Sequence, residues 1–169
     1  MKKISLLLYY LFFKNLPSSY FPLGKIFNFL RLLCLRVILP VGKKTKVQTN
    51  VYIGNGSNIQ IGDYCQINEN VKLNNVSIGD YVMIAPGVTI LGKSHKFEDI
   101  NTPMVFQGEA FSSKTVIGDD VWIGTNAVIM PGVKINNGVI IGAGAIVTKS
   151  CDVFGVYGGV PASLIKKRI

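Results

Sequence analysis

From Ile117 onward an aliphatic residue returns at every sixth position: Ile117, Ile123, Ile129, Ile135, Ile141, Val147 and Val153. Four places after each of the first six stands a second small or aliphatic residue, at Val121, Ala127, Val133, Val139, Ala145 and Cys151. A helix repeats every 3.6 residues and an alternating strand every two, so neither accounts for the pattern. A period of six means short strands and turns that wind into stacked parallel coils. Gly118, Gly124 and Gly142 directly follow the aliphatic position, where the expectation is a tight turn that excludes large side chains. The same spacing recurs upstream in pieces, at Val47 and Ile53, at Ile61, Ile67 and Leu73, and at Ile78, Ile84 and Ile90. The offsets between the pieces predict small irregular corners. Cys65 and Cys151 occupy the small position of their hexads, which points to packing rather than reactivity.

One break in the count is large. Ile90 and Ile117 are 27 residues apart, so about 93–114 forms an excursion that leaves the coils. Long segments without a repeat of their own are commonly functional. His95, the one histidine in the chain, stands at the root of this excursion. Lys93, Ser94, Lys96, Glu98 and Asp99 surround it, a polar setting unlike that of a buried structural histidine. The alternative is a surface imidazole with no role.

The 169 residues suit one domain with an appendage. Residues 1–46 form a basic, apolar arm, and 47–169 form the solenoid domain. The chain carries a formal charge of +9, and all of it belongs to the arm, which has nine Lys and Arg and no acidic residue. From Asp63 onward nine basic residues balance nine acidic ones. A basic arm can suit nucleic acid, but this one is too apolar for that to be the first reading. Its first apolar stretch, 4–13, is shorter than the roughly 20 residues of a membrane span, and no small-residue cleavage site follows it. In the second, 21–41, Lys25, Asn28, Arg31 and Arg36 fall within one helical sector of roughly 140°. Such an amphipathic helix suits either an anionic membrane surface or packing against its own domain or a sister subunit. Cys34, Cys65 and Cys151 show no metal-ligand spacing and no secretory context, so reduced cytosolic thiols are expected.

The hexads containing "IAPGVTI", "VWIG", "IMPGVKI", "VIIGAGAIVTKS" and "GGVPASLIKKRI" closely resemble the hexapeptide-repeat acyltransferase superfamily. The pattern His95, Phe97, Asp99, Pro103, Met104, Gln107 and Gly108 is similar to that of bacterial surface-polysaccharide O-acetyltransferases, and more distantly to galactoside and maltose acetyltransferases. The resemblance covers about 47–169 densely and the arm loosely, through "LPSS". It implies an all-β, left-handed parallel β-helix assembled as a homotrimer, with active sites between neighbouring subunits. It implies acetyl-CoA as acyl donor and a sugar or polysaccharide as acceptor.

The same resemblance makes His95 the general base, and the chemistry agrees. A sugar hydroxyl is a weak nucleophile, and a group titrating near neutrality suits removal of its proton. With no nucleophile-like cysteine, direct transfer is the simpler mechanism. Backbone N–H groups of a facing coil are expected to stabilise the oxyanion. Asp99 and Glu98 are the candidates for orienting the imidazole. Asn68 falls where related enzymes present an asparagine to the acceptor and acetyl group, although the acidic sugar ligand of the galactoside enzymes has no clear match. For the cofactor the matched positions are Thr125, Ala143, Thr148, Lys149 and Lys166. Ser163 departs from a basic residue in the relatives, with Lys167 or Arg168 to compensate. Trp122 reads as packing beside the channel. Pro161 fits the first position of a short C-terminal helix carrying Lys166, Lys167 and Arg168 in its last turn.

A zinc hydratase on the same solenoid needs three histidines per metal, which one histidine per chain cannot supply, so no metal is expected. N-acetylation of an amino sugar, or acetylation of another small acceptor, would use the same base and cofactor. A non-catalytic solenoid explains the hexads but not the excursion, the histidine or the tail.

Overall fold

In the computed structural model, which describes residues 1–111 and 113–169, the body is built from three parallel sheets that the chain visits in turn. The first stacks Ile59–Ile61, Val76–Ile78, Thr115–Ile117 and Lys134–Ile135. The second stacks Lys46–Val47, Gln66–Ile67, Met83–Ile84, Trp122–Ile123, Ile140–Ile141 and Gly155–Gly158. The third holds Thr89–Ile90, Val128–Ile129 and Ile146–Val147, extended by parallel bridges through Lys72 and Tyr52. The hexad explains this architecture. In a strand of two residues one side chain points inward and its neighbour outward. Ile67, Ile84, Ile123 and Ile141 therefore stack in register and fully buried, while Gln66, Met83 and Trp122 face out. Burying each such isoleucine contributes about 1.5–3 kcal/mol.

The chain turns not at the expected glycines but two residues further on. Asp120, Asn126 and Gly144 hold positive φ, as do Tyr64, Asn70, Tyr81 and Gly87 in other coils. Gly118, Gly124 and Gly142 are not among the positive-φ residues. At Gly124 the constraint is the next coil, because a Cβ there would lie 2.6 Å from the backbone nitrogen of Ala143. The polar residue directly after Gly62, Gly79, Gly118 and Asn136 links coils. Asp63 accepts from the Lys43 N–H, Asp80 from Asp63, Asp119 from Asp80 and Asn137 from Asp119, at 2.7–3.0 Å.

Two expectations fail at the C-terminal end. Cys151, not Val153, is the buried residue that bridges to Ile135, and Val153 is half exposed. Residues Ser163–Lys167 form a strand rather than a helix, antiparallel to Gly155–Gly158, with Lys166 opposite Val156. The last parallel strand would otherwise leave unpaired backbone at the sheet edge, and the returning tail satisfies it.

At the other end α1 (Lys2–Leu11), a 3₁₀ turn (Phe13–Asn15) and α2 (Gly24–Ile38) pack on the first coil. The Tyr9 and Tyr10 hydroxyls donate to the carbonyls of Val51 and Gly54. Arg31 is fully buried, and its guanidinium donates to the carbonyls of Phe13, Leu16, Pro17 and Val47. Asn28 accepts the Val47 N–H. The expected outward polar sector is thus divided: Arg31 and Asn28 serve the solenoid, while Lys25 and Arg36 stay exposed. The cause is the first coil itself, whose backbone has no preceding coil to pair with.

Candidate active site

The edges between the sheets differ in how regular they are. From the second sheet to the third the inward residues always stand six apart: Ile67 and Leu73, Ile84 and Ile90, Ile123 and Ile129, Ile141 and Val147. From the third sheet back to the first the step is eight from Ile53 to Ile61, five from Leu73 to Ile78 and 27 from Ile90 to Ile117. We refer to these as the straight edge and the broken edge.

Around the broken edge the irregular corners line one open groove of about 560 Å³, which includes Asn55, Asn74, Asn75, Lys93, Glu109 and Phe111. The excursion is zipped at its root. Ser94–His95 pairs antiparallel with Glu109–Ala110, the Lys96 N–H donates to the Gly108 carbonyl, and Lys93 bridges Glu109 at 2.6 Å. His95 is therefore exposed and directly opposite Glu109, a residue of the groove wall.

Neither expected orienting group meets the imidazole. Glu98 accepts from the Phe97 N–H, and Asp99 accepts from the Asn101 N–H. Hydrogen bonds from Thr102 and Asn101 hold the Asp99 carboxyl below the usual carboxylate range. Gln107 in turn donates to the carbonyls of Asp99 and Thr102, which ties the tip of the excursion together. Thr148 and Lys149 also lie at the broken edge, just past Ile146–Val147, and both are exposed.

Along the straight edge a row of residues climbs the solenoid. The N–H of Asn68 donates to Ile84, Ala85 to Ile123, Gly124 to Ile141 and Gly142 to Tyr157. Towards the C-terminal end this row consists of small residues, with Thr125 and Ala143 exposed beside it. At the other end the Asn68 side chain donates to the Ile84 carbonyl at 2.9 Å, and its oxygen lies 3.5 Å from the Tyr20 hydroxyl. Asn74 and Asn136 make the same amide-to-carbonyl bond at other corners, so Asn68 has a structural role as well. Next to it the Ser18 hydroxyl lies 2.6 Å from Glu69 and 2.9 Å from Gln48, a cluster the sequence reading missed. Its one signal was "LPSS", because the contacts join residues about 30 and 50 positions apart in sequence.

The basic tail is less available than its sequence implies. Arg168 is held by Asp120 and the Gly138 carbonyl, and Lys167 donates to the Val153 carbonyl. The Lys166 side chain is exposed. Trp122 is half exposed on the outer side of the second sheet, between Met83 and Ile140. All three cysteines are buried, and burial pushes their thiols up, to about 11 for Cys151. Among the described residues no cluster of His, Cys, Asp or Glu has the makings of a metal site.

One chain therefore splits the candidate residues. His95, Thr148 and Lys149 lie at the broken edge, and Asn68, Thr125 and Ala143 lie at the straight edge. A face of the third sheet separates them, roughly 15–20 Å at about 3.3 Å per residue.

Comparison with known proteins accounts for this architecture. The family model described as bacterial transferase hexapeptide (six repeats) matches residues 58–92 and 114–149, and the gap between them is the excursion. A solved galactoside acetyltransferase in complex with coenzyme A superposes with a TM-score of 0.81 at 34% identity, over 98% of this chain and 80% of that one. The galactoside O-acetyltransferase of Escherichia coli strain K12 is 40% identical over 130 residues, covering 75% of this chain and 63% of that protein. The putative lipopolysaccharide biosynthesis O-acetyl transferase WbbJ of the same strain is 36% identical over 116 residues, covering 65% and 58%. The chain thus spans about three-fifths of the length of these two curated relatives. It belongs to the hexapeptide-repeat acyltransferase superfamily.

Proposed function

We propose that this chain is an acetyl-CoA-dependent O-acetyltransferase that acts on a sugar hydroxyl of a cell-surface polysaccharide or its precursor. The acceptor oxygen attacks the thioester carbonyl, and His95 takes the hydroxyl proton as the bond forms. The tetrahedral intermediate collapses by expelling the CoA thiolate, to which the proton can return. The acetyl ester and CoA are the products, and no acyl-enzyme is involved.

The observation that carries this reading is the place of His95, on the zipped root of the excursion and opposite a wall of the groove. Similarity to a galactoside acetyltransferase crystallised with coenzyme A and to WbbJ supports the donor and the acceptor class. Likeness to hexapeptide acetyltransferases supports a left-handed helix, and the division of residues between two edges supports its assembly as a homotrimer. In that arrangement the broken edge of one subunit, with His95, Thr148 and Lys149, faces the straight edge of its neighbour, with Asn68, Thr125 and Ala143. Small residues there let the narrow pantetheine arm approach the backbone, while Lys149 and Lys166 meet the CoA phosphates as point charges. Residues 47–169 form the catalytic domain and 1–46 the arm, and the reaction takes place where acetyl-CoA is made, in the cytoplasm.

The test is CoA release from acetyl-CoA in the presence of a panel of cell-surface oligosaccharides. His95→Ala is expected to lower turnover at least about 10²-fold, the lower end for loss of a general base, with the circular dichroism spectrum unchanged. Turnover close to wild type would exclude His95 as the base.

A further inference from the structure

The arm is apolar on both of its sides. Its inner side buries Tyr9, Leu32, Leu35 and Ile38 against the first coil. On α1, Ile4, Leu7, Leu8 and Leu11 are exposed, and on α2, Ile26, Phe29, Leu33 and Val37 are exposed. Both sets follow the three- and four-residue steps of a single helical stripe. Tyr20, Phe21 and Leu23, in the link between the helices, are exposed as well. The coils expose apolar side chains too, such as Met83, Val116 and Trp122, but among Gln60, Gln66, Lys72 and Lys134, and the excursion exposes Phe97, Ile100, Val105 and Phe106. The arm differs in combining apolar stripes with a charge of one sign. An apolar surface on this scale marks an interaction site.

Charge identifies the occupant. Lys2, Lys3, Lys25 and Arg36 are exposed on the two helices, Lys43, Lys44 and Lys46 are exposed where the chain enters the first coil, and residues 1–46 contain no carboxylate. The one other arginine of the arm, Arg31, is turned inward. Apolar stripes bordered by lysine and arginine match the chemistry of an anionic bilayer, with acyl chains below and phosphates at the rim. A second copy docked face to face would instead bring two basic arms together with nothing to neutralise them, and a contact with a different surface of a sister subunit is read by the oligomeric mass in the test below. The helices have 10 and 15 residues, and no described helix is long and apolar enough to cross a membrane.

We propose that the outer face of α1 and α2 docks on an anionic lipid surface, lying in the interfacial plane with the solenoid standing off it. This assignment is independent of the acceptor and of the role of His95. The test is co-sedimentation of the full chain with vesicles of phosphatidylglycerol and phosphatidylcholine, or of phosphatidylcholine alone, at low and moderate salt. Wild type should partition at least tenfold better onto the anionic vesicles, with the preference weakening as salt rises. The triple variant Leu7→Ser, Phe29→Ser and Leu33→Ser should lose at least tenfold of that partitioning while keeping its thermal midpoint and its oligomeric mass by light scattering. Undiminished partitioning by the variant, or equal partitioning onto neutral vesicles, would overturn the proposal. A fall in oligomeric mass would also overturn it, because the face would then belong to a second copy.

Discussion

The straight and broken edges are made by the same chain from the same repeat, yet they solve opposite problems. At the straight edge every passage has the same length, so one coil's corner sits squarely over the next and small residues line the row towards its C-terminal end. At the broken edge nearly every passage has its own length. Asn55, Asn74 and the legs of the excursion therefore cannot stack, and the groove lies between them. Regularity suits a long, thin ligand that runs parallel to the axis. Irregularity suits the place where individual side chains must be aimed.

The comparison can be broken by removing what keeps the straight edge straight. Ile123 lies fully buried directly before Gly124 and Thr125, with Ile84 and Ile141 as its stacked neighbours. Ile123→Ala should cost about 2–5 kcal/mol in denaturant unfolding, and a loss below 1 kcal/mol would mean the coils do not depend on their inward row. The comparison sharpens if the two edges meet only between chains. His95→Ala and Asn68→Ala should each be nearly inactive alone. Unfolding and refolding an equal mixture should restore activity to about a quarter of wild type, because a mixed trimer pairs an intact broken edge with an intact straight edge. Recovery no greater than the sum of the separate variants would place both residues in one subunit's site. The smallest effect concerns cofactor charge. Lys149→Ala with Lys166→Ala should raise the KM for acetyl-CoA several-fold at low salt with turnover at saturation retained, the pattern of lost uniform binding. An unchanged KM would remove both lysines from the cofactor site.

Most of the solenoid was legible because a hexad is a local rule: each inward isoleucine announces itself six residues after the last. The excursion was legible for the same reason, as a failure of the rule. What escaped the sequence depends on partners far along the chain. Ser163–Lys167 becomes a strand because Gly155–Gly158 has an open edge, and nothing in "PASLIKKRI" reveals that edge. Arg31 reads as a surface charge until the carbonyl of Val47, which accepts its guanidinium, is seen beside it. Asp99 and Glu98 are nearby carboxylates that could orient His95, but the excursion folds Asp99 onto Asn101 and Thr102 and Glu98 onto the Phe97 N–H instead. The groove was hidden for a further reason: its wall comes from four separated stretches whose shared feature is a wrong count.

The excursion leaves after Ile90 and returns before Thr115, yet the coils on either side pair as if nothing intervened: Val76 with Thr115, Ile84 with Ile123, and Thr89 with Val128. The scaffold is indifferent to what is spliced in at that corner, provided that the two legs can close against each other. Such a segment behaves as a cassette. Selection, or an engineer, can exchange it for another of different length while the register of the coils on either side stays as it is.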